Sequence, residues 1–377
     1  MLGGEDYTGS ATLTAMWEAG SAEGANRICF IANSPSGTVS GTMEDPTIVY
    51  MTSSTSAGTV DSTALSSSTT ELTFYSPNWT LSGYGFRGWS TTPEGTAGTM
   101  YGPNQTITLT SDQQTQLGTY GLPIYAQWVA SADDMDSWSG CSSLTQGSVT
   151  ALTYGSDTYA VAKLADGKCW MIENMRTSTN AGTDKGTSWT TAVTDRQYNL
   201  ANVTGSSPSA TTSGSTAIQW KSYGGYYSWH SAINTTTVGS TQYYNWNTSS
   251  NSYTTTGTAQ GICPSGWRLP RSYAGDSTTN NANSDFRNLN NILNSSWSSV
   301  STAAASNNWR KYPNNFVFAG SWNGSSSNVR GTYGRYWSST VNYSTLAYHL
   351  YFGSTSVNPA SSNSKYYGYS VRCVASS

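Results

Sequence analysis

The sequence predicts a β-rich α+β protein assembled from two successive modules. Three observations predict it. Short runs alternating apolar and polar residues recur along the chain, each closed by Gly, Asn, Asp or Ser, which is the pattern of half-buried strands. Only two stretches hold helical spacing: Tyr226, Trp229 and Ile233, and Phe286, Leu289, Ile292 and Leu293. Aromatic residues are dense, with 15 Trp and 26 Tyr, while Ser, Thr, Asn and Gly supply the solvated surface.

A chain of 377 residues makes two to three domains the expectation. Charged residues make up 10% of it, against roughly 25% in an ordinary globular protein. Low charge with low hydrophobicity can signal disorder, but this many aromatics bury large areas and argue for folded cores. Net charge is −3 with no basic run. That balance argues against nucleic acid as a partner and offers nothing to an anionic membrane surface. No run of about 18 apolar residues exists, so membrane insertion is not expected. The first twenty residues lack an apolar h-region and are interrupted by Glu5. The chain therefore reads as a mature or excised piece of an exported protein.

Among Cys29, Cys141, Cys169, Cys263 and Cys373 there is no CxxC pair, and only His230 and His349 could join them. A zinc site is not expected, nor is a cofactor. Disulfides with one cysteine left over fit better and imply an oxidising compartment. Cys29 is expected as a buried small hydrophobe.

Leu13 to Trp17 and Ile124 to Trp128 are short alternating strands that both end on Trp. They read as the closing strands of two copies of one repeat, the first truncated to residues 1–20. The second copy spans 26–129. It opens with a strand in which Arg27, Cys29 and Ile31 share a face. It leaves through a Ser/Thr-rich excursion from Met51 to Thr70 and returns at Leu72-Thr-Phe. Gly83-Tyr-Gly-Phe-Arg-Gly-Trp and the closing Tyr125-Ala-Gln-Trp resemble the internalin-type B-repeat, or Listeria–Bacteroides repeat. The resemblance implies a small β-grasp-like module of bacterial surface proteins, used as a spacer, with Phe86 and Trp89 in its core.

Residues 130–136 are expected as a solvated linker. Asp133, Asp134 and Asp136 lack the glycine and distal Glu of an EF-hand loop, so calcium is not expected there. Thr158 to Leu164 is a strand that turns through Asp166-Gly167 and resumes at Cys169, a strong hairpin signal. A Cys141–Cys169 bond would close a loop of about 29 residues, worth roughly 3–4 kcal/mol in the chain-entropy model. His230 has no carboxylate or nucleophile near it in sequence and is expected to be structural or on the surface. Prolines and glycines make Gly261 to Arg271 rigid. Asn283 or Ser284 caps the second helix. Phe316 to Trp322 reads as a buried strand.

Five motifs stand in order across residues 137–377: Asp166-Gly-Lys-Cys-Trp-Met-Ile-Glu-Asn-Met, Tyr227-Ser-Trp-His-Ser-Ala, Cys263-Pro-Ser-Gly-Trp-Arg-Leu-Pro, Tyr336-Trp-Ser-Ser-Thr and Ser370-Val-Arg-Cys-Val. They resemble the FISUMP domain, the major paralogous domain of bacterial surface proteins. The resemblance implies a C-type-lectin-like fold, a twisted antiparallel sheet flanked by two helices with its chain ends together. It implies a Cys263–Cys373 disulfide, closing about 110 residues and worth roughly 4–5 kcal/mol by the same estimate. It brings no catalytic residues. Related formylglycine-generating enzymes use active-site cysteines, whereas here those after residue 130 are allotted to disulfides. The Glu-Pro-Asn, Gln-Pro-Asp and Trp-Asn-Asp signatures of calcium-dependent lectins are absent; Asn245-Trp-Asn247 and Asn358-Pro359 are fragments of them. No carboxylate pair recurs at a spacing that suggests a glycosidase. Neither catalysis nor a metal is expected.

The expected binding face lies on the last strands. Tyr348, Leu350 and Phe352 form one face of their strand, and Ala347, His349 and Tyr351 the other. Tyr367, Tyr369, Val371 and Cys373 face the core. The candidate ligand-binding residues are then Asn342, Tyr343, Ser344, Leu346, His349, Tyr351, Asn363 and Tyr366, joined by Trp322. Tyr supplies rigid contact area, and Ser and Asn adaptable hydrogen bonding. The function read from this face is adhesion at the bacterial cell surface, with a protein or glycan of another cell as partner. The Asn, Ser, Tyr and Thr scattered over residues 341–366 are compatible with the variable protein of a diversity-generating retroelement. The alternatives are a surface structural module without a specific ligand and, less favoured, a carbohydrate-active surface enzyme.

Overall fold

The computed structural model describes residues 28–37, 39, 50–53, 56–57, 70–74, 77, 79–176, 197–199, 223–233, 245–247, 252–254, 260–272, 284–322, 327–343 and 346–375. The truncated repeat expected at 1–20 lies outside them, as do most of the Met51–Thr70 excursion and the side chains of Cys29 and His230.

The N-terminal module contains β1 (Ile28–Ile31), β2 (Tyr50–Ser53), β3 (Glu71–Thr73), β4 (Tyr84–Ser90), β5 (Thr106–Thr108), α1 (Ser111–Tyr120) and β6 (Leu122–Asp134). Strand β1 runs parallel to β2 and β6, β4 runs antiparallel to β6, and β3 pairs with β5 apart from this sheet. Phe86 and Trp89 are buried as expected, 5% and 0% exposed, and Trp89 meets Phe86 and Trp79 edge-on. Helix α1 has no apolar stripe to announce it. Its Ser-Asp-Gln-Gln-Thr-Gln-Leu-Gly-Thr-Tyr sequence buries Leu117, and a capping box between Thr110 and Gln113 starts it.

The stretch 130–136, expected as a linker, is instead largely strand. Strand β6 runs on past the first module and pairs in parallel with β7 (Val149–Tyr154), Ser131 opposite Ala151 and Asp134 opposite Thr153. The backbone groups of β7 need partners, and the extension of β6 provides them. Side chains of Asp133 and Asp134 still point to solvent, while Met135 is fully buried. Strand β8 (Asp157–Lys163) follows β7, and the hairpin read from Asp166-Gly167 leads to β9 (Cys169–Met171), with Gly167 at φ 77°.

The chain continues through β10 (Gly225–Tyr227), the single turn α2 (Trp229–Ala232) and β11 (Trp267–Arg268). The helix expected from Tyr226 to Ile233 is shorter, because Tyr226 sits in β10. Helix α3 (Asp285–Asn294) begins at Ser284, whose hydroxyl accepts from the Arg287 N–H. Phe286 and Leu289 are fully buried, but Ile292 is 45% exposed. It lies about 100° round the helix from its neighbour Leu293, at the stripe's edge. Helix α4 (Ala303–Arg310) is capped by Thr302 and buries Trp309.

The buried strand expected at Phe316–Trp322 is buried but mostly irregular; only Ser321–Trp322 is strand, here β12. Two of its amides find side chains, while those of Phe316, Ala319 and Gly320 donate to scattered backbone carbonyls. Val317 N–H donates to the Tyr336 hydroxyl, and Phe318 N–H to Asn104 Oδ1. Strands β13 (Tyr333–Tyr343), β14 (Leu346–Gly353) and β15 (Ser356–Ser364) form an antiparallel sheet. Strand β15 has no apolar alternation to announce it. Pro359 breaks its pattern and is accommodated at a register shift between His349 and Tyr351. Strand β16 (Val374–Ala375) inserts between β9 and β11. Both disulfides form, Cys141–Cys169 and Cys263–Cys373, each with Cα atoms 5.8 Å apart.

Candidate ligand-binding surface

Alternation along β14 sends Leu350 and Phe352 into the core beneath α3 and α4, beside Phe316 and Tyr336. The opposite face, expected to be open, is covered as well. Residues 367–371 cross it, with Trp337 N–H donating to Ser370 O and Tyr369 bridged to Tyr227. Ala347 and His349 therefore lie buried, 0% and 1% exposed. The His349 ring packs 4.8 Å from Tyr369 and 5.8 Å from Trp337, ring centre to ring centre. Burial first, and the charge of Arg335 second, hold its pKa down to about 3. His349 is thus a neutral core side chain and not a ligand contact.

Trp322 is also misplaced by the sequence reading. It is 1% exposed, packed with Tyr223, Tyr226, Val317 and Ala319. Its backbone exchanges hydrogen bonds of 2.8 and 2.9 Å with Gly368.

The other candidates fall into two groups. Asn342, Leu346, Asn363 and Tyr366 are half-buried, and all are drawn to the end of the sheet where Leu346 pairs with Ser364 and with Tyr343. Ser344 and the Tyr343 side chain lie outside the described residues. Tyr351 is half-buried at the other end, five residues along β14 and so about 17 Å away. Buried His349 separates the two groups.

Around Tyr351 the structure adds side chains that the sequence reading passed over. Tyr333 stacks on Tyr351 at 5.4 Å between ring centres. Arg335, opposite Tyr351 in the ladder, places its guanidinium carbon 5.5 Å from the rings of both Tyr351 and Tyr369. It donates to the Tyr369 hydroxyl at 3.0 Å, and Tyr367 stacks beyond at 6.0 Å. The result is a column of Tyr333, Tyr351, Arg335, Tyr369 and Tyr367. Cation–π contacts of this kind are worth about 0.5–1 kcal/mol each at exposed sites. Burial raises the pKa of Tyr351, and that of Tyr369 to about 12, so both phenols stay protonated hydrogen-bonding groups. The signal was available: Tyr333 and Arg335 sit two apart on a strand, hence on one face.

Among the described residues no cluster of three or more His, Cys, Asp or Glu could hold a metal ion, and no helix is long and apolar enough to cross a membrane. No curated protein and no solved structure matches the chain. The family model of the Fibrobacter succinogenes major domain matches residues 165–375. That span is more than half of the chain and contains all five motifs from Asp166 to Val374, both helices over the last sheet and the whole aromatic column. The chain belongs to the Fibrobacter succinogenes major domain family.

Proposed function

We propose that this chain is a binding protein of the bacterial cell surface and that its partner, a protein or glycan on another cell, meets the column around Tyr351. The family is a surface-type domain, and the two disulfides suit an oxidising, extracellular setting. The observation that carries the reading is the stacking of half-exposed Tyr333 and Tyr351 against Arg335, three side chains already fixed by one another. Preset aromatic and guanidinium groups bind with little entropy to lose, and Tyr and Arg dominate binding hot spots. A sheet flanked by α3 and α4 suits the C-type-lectin-like architecture. Asn358 and Asn363 on the neighbouring strand, with exposed Thr355 and Ser362, suit a face whose polar residues vary. A near-identical repeat beside a reverse transcriptase gene would tie that variation to a retroelement.

No reaction is assigned. Glu173 accepts from the Phe86 and Ala160 amides and pairs with Arg176, and Asp285 is held by Arg268 and Lys168. Both carboxylates are committed to holding the fold. The test replaces Tyr333 and Tyr351 together by Ala and measures binding of the whole chain to target cells and to a glycan array. Binding should fall at least tenfold, about 1.4 kcal/mol, with the melting temperature within a few degrees of wild type. Undiminished binding would remove the column from the reading.

A further inference from the structure

A groove of about 510 Å³ runs between the two modules, and none of the five side chains of the aromatic column lines it. Its volume suits a small ligand, since such sites span about 300–1,000 Å³. Strands β3 and β5 form one wall, and α4 with Phe318 the other. The walls are locked together. Thr106 N–H donates to Asn307 Oδ1 at 2.9 Å, and Asn307 Nδ2 donates back to Thr106 O at 2.7 Å. The backbone of Gly102 lies so close to Arg310 O that a Cβ there would sit 2.0 Å from it.

Arg310 lines this groove while being only 4% exposed. Its Nη1 donates to Asn104 O and, at 3.4 Å, to Thr106 Oγ1. Its guanidinium carbon lies 4.7 Å from the centre of the Phe318 ring. Those contacts use one corner of a five-donor fork. Among the described residues Nε is buried with no hydrogen-bond partner, Nη2 has none, and no carboxylate lies within ion-pairing distance. Burial lowers the Arg310 pKa to about 10, which leaves it charged at neutral pH. A buried cation without an anion is costly, and an incoming carboxylate both neutralises it and can accept two parallel N–H bonds.

The rest of the lining chooses among carboxylates. Thr73, Thr108 and Ser354 offer hydroxyls, Glu71 is the one carboxylate among the described lining residues and accepts hydrogen bonds, and Ile107 and Phe318 give apolar footing. An extended peptide would need a free strand edge, but the Thr106 N–H and C=O are already taken by Asn307. We propose that the groove between the modules binds a carboxylated saccharide, its acid group on Arg310 and its hydroxyls on the Thr, Ser and Glu rim. The column residues Tyr333, Arg335 and Tyr351 do not line this groove, and the proposal does not rest on them.

The experiment titrates the whole chain calorimetrically with digalacturonate, galactobiose and triglutamate. Digalacturonate should bind, with galactobiose and triglutamate each at least tenfold weaker. Arg310→Met should abolish binding. Because Arg310 also holds the interface, Ala304→Trp, an exposed position on the groove wall, is the second variant; it should block binding with an unchanged melting temperature. Tyr351→Ala should leave the affinity as it was. Equal binding of the neutral disaccharide, preference for the peptide, no binding of digalacturonate, or loss through Tyr351→Ala in place of Ala304→Trp would each overturn the assignment.

Discussion

His349 makes the cost of a missing prediction visible in one side chain. Its strand alternates, and alternation alone puts it opposite Leu350, on the face away from the helices. What alternation cannot show is that residues 367–371, from beyond the next strand, lie over that face. The same coverage explains why Tyr351, two residues on, stays partly open, and why Arg335 and Tyr333 gather there. Burial gives His349 a measurable signature. Its folded pKa of about 3 lies below the unfolded value of about 6.5. The unfolded chain therefore takes up a proton first as pH falls, and stability is full above pH ~6.5 and lost below it. The loss is about 1.4 kcal/mol per pH unit. Between pH 7 and pH 5, urea denaturation should show wild type losing about 2 kcal/mol more than His349→Phe. Parallel pH profiles would mean that His349 takes up its proton as readily in the fold as in the unfolded chain.

Elements whose signals are local were legible, and those defined by distant partners were not. The β8–β9 hairpin carries its own turn, and α3 carries its own cap at Ser284 and its own buried pair, Phe286 and Leu289. Helix α1 buries Leu117, and the buried residues of α4 are Ala305, Ser306, Trp309 and Arg310, two of them polar, so apolar periodicity is silent about both helices. Strand β15 contains Pro359, and exists because β14 offers it a ladder with a register shift in the right place. Asp285 shows how such elements are joined. In the first turn of α3 and fully buried, it takes Arg268 of β11 at 2.6 Å, Lys168 beside β9 at 2.5 Å and the Arg271 N–H at 2.6 Å. Burial would raise its pKa, but Arg268 and Lys168 outweigh it and hold the carboxyl well below the usual range. Asp285→Ala would leave two cations facing an empty site, and should cost about 3–5 kcal/mol in chemical denaturation at pH 7. A loss below 1 kcal/mol would show that the three elements dock without it.

Taken whole, the molecule is not a domain on a flexible stalk. Strand β6 belongs to both modules, Glu173 accepts from an amide in each, and Arg310, Asn307 and Asn315 reach across to Asn104, Thr106 and Arg87. The two modules should melt as one. Calorimetry on the whole chain should give a single transition whose calorimetric and van't Hoff enthalpies agree. Two resolved transitions would mean that the shared strand transmits no cooperativity.

The insertion of β16 between β9 and β11 has a consequence in time. The strands on either side of it are separated from it by about 200 and 105 residues of chain, and the pairing of Cys263 with Cys373 waits on the same segment. Contacts this distant in sequence form late, because loop closure precedes any reward. During synthesis the second module therefore stays open until residues 367–375 arrive, its His349 face and both flanking strands uncovered. A nascent chain halted at residue 365 should be cut readily by protease, and ten further residues should be enough to close it.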